Sequence, residues 1–165
     1  MYVPDMISTL DVTTCRKALM LLLLLCMGML SGCSSSPEWP DGNDFRHGGL
    51  AEAARMIGRP YRYGGTTPRG FDCSGLVYYA YRKAGIAVPR TTREQYRQAD
   101  RVSVDDIRPG DLLFFRIHSR EISHVAIYTG QRRILHAPSG GKQVTYSKLD
   151  NPYWRQRLAA AGRYE

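Results

Sequence analysis

The sequence predicts an α+β fold: N-terminal helices packed on an antiparallel sheet of about five or six strands. Three observations carry this. Over Leu50–Ile57 and again over Leu76–Ala84 apolar residues recur at helical spacing. From Leu112 onward they fall into short runs of strand length and composition. The runs are joined by short loops containing Gly, Pro or Ser, the pattern of a meander, and helices followed by strands is the α+β order.

The 165 residues are enough for one domain, expected over 47–165. Residues 1–32 are expected to be a signal segment. Arg16-Lys17 precede the apolar run Ala18–Leu30, which at roughly 13 residues is short of the ~20 that span a bilayer. Met6 is an alternative start. The run closes on Leu30-Ser31-Gly32-Cys33, which resembles the bacterial lipobox, so Cys33 is the expected lipidation site. Ser34 follows where enterobacterial lipoproteins with Asp are held back, which points to the outer membrane. Residues 33–46 are rich in Ser, Pro and Gly and read as a flexible tether.

Within the domain, Leu50, Ala53, Ala54 and Ile57 give one apolar helical face between Gly49 and Gly58. Tyr61–Gly65 is an extended piece that turns at its Gly pair. A second helix begins near Cys73, carries Leu76, Val77, Ala80 and Ala84 on one face, and stops at Gly85. Thr91–Gln95 holds two overlapping capping boxes, Thr91 with Glu94 and Thr92 with Gln95, so a third helix starts there. Strands are expected at Leu112–Phe115, Val125–Tyr128, Arg133–Ala137 and Val144–Tyr146. The segment from Pro152 to Tyr164 reads as partly helical, packing Tyr153 and Trp154.

Cysteine arithmetic isolates one thiol. Of four cysteines, Cys15 and Cys26 leave with the signal and Cys33 takes lipid, so Cys73 is the sole free thiol of an exported domain. It sits at a helix start, where the helix dipole and free N–H groups favour a thiolate. His124 and His136 follow, the first opening a strand-like run and the second closing the next, in the order of a nucleophile and its base. His124 is the candidate base and His136 the candidate orienter, because adjacent antiparallel strands bring paired positions to ~5 Å. Asp111 competes for the orienter role, or simply caps its turn. His47 and His118 have no assigned use. No spacing resembles a metal site, and neither metal nor cofactor is expected.

The net charge of +8 comes from scattered arginines. There is no aromatic-basic stripe of a nucleic-acid module. A carboxylate-rich wall polymer or an anionic membrane suits such a protein better.

Four blocks then point to a family. Asp72-Cys73-Ser74-Gly75, Gly110–Phe115, His124–Gly130 and His136-Ala137 resemble, in order and rough spacing, the NlpC family of bacterial cell-wall cysteine peptidases. Tyr61-x-Tyr63-Gly64-Gly65, Arg90-Thr91-Thr92-x-x-Gln95 and Pro152-Tyr153-Trp154 extend the likeness, which is strongest to lipid-anchored murein endopeptidases of Gram-negative bacteria. The resemblance implies a compact papain-like fold and hydrolysis of a peptidoglycan stem-peptide or crosslink bond. That bond is D-Ala–diaminopimelate or γ-D-Glu–diaminopimelate. It implies Cys73 as nucleophile, His124 as base, His136 as orienter and Tyr61 as oxyanion donor beside the Cys73 N–H, with Asp72 and Ser74 lining the substrate groove. Asp72 as a helix cap is the alternative for that residue. A monomer on the periplasmic face of the outer membrane is expected. An amidase or acyltransferase using the same triad, or a non-catalytic wall-binding lipoprotein, are the competing readings.

Overall fold

A computed structural model describes residues 49–140 and 142–165. The signal segment, Cys33, the tether and His47 lie outside the described residues.

The helices are α1 (Leu50–Ala54), α2 (Cys73–Lys83), α3 (Thr92–Gln98) and α4 (Pro152–Arg155). A two-residue hairpin, β1 (Thr66–Thr67) with β2 (Gly70–Phe71), precedes α2. The strands β3 (Asp100–Val102), β4 (Leu112–Phe115), β5 (His124–Tyr128), β6 (Arg133–His136), β7 (Thr145–Lys148) and β8 (Leu158–Arg163) form one sheet. Its order is β3-β8-β4-β5-β6-β7, and every pairing is antiparallel. The α+β class and the meander from β4 to β7 are as the sequence predicts, and six strands fall within the five or six expected, although the sequence does not place β3 and β8.

Two ends are well specified. Asp72 caps α2 by accepting from the Gly75 N–H at 2.6 Å. At the other end Ile86 N–H reaches the Tyr81 carbonyl and Gly85 N–H that of Arg82, with Gly85 at φ +84, a Schellman stop. α1 is shorter than its apolar face implied. Its last turn tightens to i→i+3 bonds, Met56 to Ala53 and Ile57 to Ala54, and Ile57 is left exposed.

Apolar residues cover the sheet on both faces. Leu112 and Phe114 point with Val125, Ile127 and Leu135 toward Leu76, Val77, Ala80 and Tyr81 of α2. Leu113 and Phe115 point the other way, with Ala126, Ile134 and Ala161, toward Trp154 and Leu158. All four β4 residues are therefore fully buried, each large side chain contributing about 1.5–3 kcal/mol.

The C-terminal segment differs from expectation. After α4 it becomes β8, which lies between β3 and β4 inside the sheet. Its Ala159-Ala160-Ala161-Gly162 run favours helix by propensity, but packing decides. A side chain at Gly162 would strike Ala99, the Asp100 carbonyl and Phe114, so only a small-residue strand fits there. β3 was missed because it exists only as the partner of β8. Asp111 is buried and held by Arg163 in a bidentate pair at 2.7 and 2.8 Å and by the Arg108 N–H at 2.7 Å. It ties the β4 turn to β8, and these partners occupy both its oxygens.

Candidate active site

The start of α2 is built by backbone contact. Asp72 accepts from Gly75 N–H, from Gly64 N–H at 2.9 Å, from Ser74 Oγ at 3.3 Å and from both Arg90 amino groups at 3.1 and 2.6 Å. Arg90 also donates to Ser74 Oγ at 2.9 Å. The carboxylate is thus both helix cap and half of a bidentate ion pair.

Cys73 occupies the first helical position behind this cap. It is the free cysteine among the described residues. Its Sγ lies 3.6 Å from Thr92 Oγ1 at the start of α3. Of the two overlapping capping boxes, the chain uses Thr91 with Glu94, which leaves Thr92 for the thiol. Gln95 is buried and donates to the Ser74 and Pro89 carbonyls, clamping α3 to the start of α2.

The sequence argument favoured a lowered thiol pKa. Instead burial pushes the Cys73 thiol up, more than the Thr92 hydroxyl and the Val125 and Ser74 N–H groups pull it down, and the Asp72 charge adds to the rise. Burial in apolar surroundings raises a thiol pKa, and here it outweighs what the helix start contributes. The N–H of Val125, the residue after His124, points at Sγ and so places the thiol against the opening of β5.

The imidazoles form a chain. His124 Nε2 and His136 Nδ1 are 3.0 Å apart, and His136 Nε2 is 3.0 Å from Ser147 Oγ on β7. Trp154 covers the pair, stacked on His124 at 5.5 Å and edge-on to His136 at 4.8 Å. With Nε2 committed, Nδ1 is the nitrogen His124 has left for a proton. Burial lowers both imidazole pKa values from 6.5, helped at His124 by His136 and His118 and at His136 by Lys142. A raised thiol and lowered imidazoles favour a neutral pair.

Below pH 6.5 the unfolded chain binds protons that the folded imidazoles refuse. Stability therefore falls as pH drops from 6.5, by about 1.4 kcal/mol per pH unit for each histidine until the folded groups titrate. Urea unfolding from pH 7 to pH 5 is expected to show this slope, and His136→Asn to reduce it by roughly half. Stability that stays flat over that range would rule out a neutral buried pair.

Cys73, His124, His136 and Tyr61 line one cleft of about 550 Å³. Tyr61 is fixed from both sides. Its N–H donates to the Lys142 carbonyl at 2.7 Å, and flanking Pro60 and Arg62 bond to Phe71. Burial raises the Tyr61 hydroxyl pKa, and the next contributions come from Cys73 and Asp72, so the phenol shares the thiol's surroundings. The remaining lining includes Ser147, Tyr153 and Trp154, the cationic Lys142, and His118. Among the described residues no carboxylate lines the cleft; Asp72 and Ser74 lie outside its lining, behind the helix start. Among the described residues no cluster of His, Cys, Asp or Glu is placed to hold a metal ion.

The sequence reading missed Thr92, Ser147 and the placement of Trp154. Ser147 was findable from register: it pairs with Ile134 on β6, diagonal to His136, which pairs with Thr145. Thr92 was hidden by its capping pattern.

A helix-borne thiol facing sheet-borne imidazoles is the papain-like arrangement. The chain belongs to the NlpC/P60 family, whose model matches residues 58–163. It is 46% identical over 114 residues to the probable endopeptidase YafL of Escherichia coli (strain K12), covering 66% of this chain and 46% of that protein. It is 40% identical over 114 residues to the murein DD-endopeptidase MepH of the same organism, covering 66% of this chain and 42% of MepH. The chain thus spans less than half the length of these curated relatives. Among solved structures, the NlpC/P60 domain of the peptidoglycan hydrolase SagA aligns with a TM-score of 0.61 at 34% identity, covering 69% of this chain and 94% of that one.

Proposed function

We propose that the chain is a peptidoglycan endopeptidase that cleaves a stem-peptide or crosslink amide through a Cys73 thiolate and an acyl-enzyme. The observation that carries this is the hydrogen-bonded pair His124–His136 in one cleft with the helix-start thiol.

Substrate binding expels water and brings the scissile carbonyl to Sγ. The Cys73 proton passes to His124 Nδ1, and the thiolate attacks the carbonyl carbon. The oxyanion is met by the Cys73 N–H and the Tyr61 hydroxyl; one such donor is worth about 3 kcal/mol in the barrier. His124 returns its proton to the leaving amine. Water, deprotonated by His124, then releases the acyl group and restores the thiol. Charging the neutral resting pair costs desolvation, which the attraction between the adjacent thiolate and imidazolium offsets in part.

The bond is either D-Ala–diaminopimelate or γ-D-Glu–diaminopimelate. Among the described residues the cleft carries the cationic Lys142 and no carboxylate, which suits a stem peptide whose residues keep free carboxylates. Under the same reading the Leu30–Cys33 pattern lipidates Cys33 and tethers a monomeric domain to the periplasmic face of the outer membrane.

Digestion of purified sacculi with the full chain, followed by mass spectrometry of the fragments, tests the reading. Crosslinked dimers converted to monomers identify the D-Ala–diaminopimelate bond. Shortened stems identify the γ-D-Glu bond. Release of intact peptides from glycan would overturn the endopeptidase in favour of an amidase.

A further inference from the structure

We propose that Ser147 is a positioning residue: its hydroxyl selects the tautomer of His136 and, through it, the base form of His124. This rests on reading His124 as the base for Cys73.

The chain of donors leaves little freedom. Once His124 has taken the thiol proton, both its ring nitrogens are donors, and Nε2–H must find an acceptor. The group 3.0 Å away is His136 Nδ1. It accepts only if its lone pair is free, which in a neutral imidazole puts the proton on Nε2. That N–H is on a residue only 2% exposed, so it needs a partner of its own. Ser147 Oγ stands there at 3.0 Å.

The opposite arrangement disables the site. If Ser147 donated to His136 Nε2, His136 would carry its proton on Nδ1 and donate to His124 Nε2. His124 would then be protonated on Nδ1 and present no lone pair to the thiol. The serine works because its hydroxyl accepts from His136 while its own proton turns to the cleft it lines. A carboxylate would fix the same tautomer, but none lines the cleft among the described residues. The titratable groups that do so beside the pair are Tyr61, Cys73, His118, Lys142 and Tyr153. A neutral acceptor also leaves His136 uncharged, as its burial beneath Trp154 favours.

Nitrogen-15 NMR of histidine-labelled full chain reads the tautomers without turnover. The wild type is expected to show His136 protonated on Nε2 and bare on Nδ1. Ser147→Ala is expected to populate the Nδ1–H form of His136. It should also lower kcat on crosslinked muropeptides about tenfold, the size of one lost hydrogen bond, with KM unchanged. Ser147→Thr keeps the hydroxyl and is expected to restore both readouts. A wild-type His136 protonated on Nδ1 overturns the proposal whether or not any variant folds. So does a Ser147→Ala protein that keeps both tautomer and kcat. A wild type with the expected tautomers and no action on peptidoglycan supports the relay and removes the endopeptidase reading alone.

Discussion

Cys73→Ala is expected to end fragment release from sacculi, a loss of at least about four orders of magnitude, because a nucleophile acting as one unit with its base has no substitute. The melting temperature should move by no more than a few degrees. The side chain is small and partly exposed, and neither the Asp72 cap nor the Asp72–Arg90 pair involves it. His124→Ala should cost about 10²–10⁴-fold for loss of general acid–base catalysis. Sacculus digestion by Cys73→Ala at the wild-type rate would sink the thiolate mechanism. A variant that still binds sacculi but releases nothing separates the enzyme from a wall-binding lipoprotein.

Gly75→Ala is expected to be the most damaging single-methyl change in stability. Propensity alone would favour it, since alanine in a helix gains up to about 1 kcal/mol over glycine. Space forbids it. A Cβ at Gly75 would overlap the Gly65 carbonyl and sit 2.9 Å from Asp72 Oδ1, the oxygen that caps the helix. Backbone cannot swing aside as a side-chain tip can, so the overpacking cost of about 3 kcal/mol exceeds the propensity gain. The melting temperature should drop on the order of 10 °C, and activity should fall with it as Cys73, two residues away, is displaced. Gly140→Ala is the control. Unlike the helical Gly75 it has a positive φ of +86, but its Cβ would meet open space, and its cost should stay near about 1 kcal/mol. Equal melting temperatures for the two variants would show that the Gly65–Gly75 approach is not as close as described.

These two substitutions also mark how far the sequence could be read. Asp72 and Cys73 announce a capped helix bearing a thiol because a cap at a helix start is a local demand with a local signature, whereas the close approach of Gly75 to Gly65 is visible only in the fold. His124 and His136 were legible as a pair because strand ends and loop lengths constrain where a meander brings them. The thiol's raised pKa was not legible, since burial is a property of the assembled fold. Nor was β8, whose alanines speak for helix until Gly162 is placed against Ala99 and Phe114. Ser147 needed the register of β6 on β7 before it meant anything. Asp111, a fair rival to His136 on sequence, is eliminated only by knowing that Arg163 reaches it.

The place of β8 has a consequence for synthesis. β4 needs β8 on one side, and β3 has no other neighbour in the sheet. Trp154, the lid over both imidazoles, comes just before it in the chain. While the polypeptide emerges from the ribosome, nucleophile and base are made early, but the sheet stays open until residues 158–163 arrive. Closing it requires contacts between distant parts of the chain, which are slow to form. The pairing of thiol and imidazoles under Trp154 is thus completed only when the last residues of the sheet are available, so the cleft is among the last features of the fold to form.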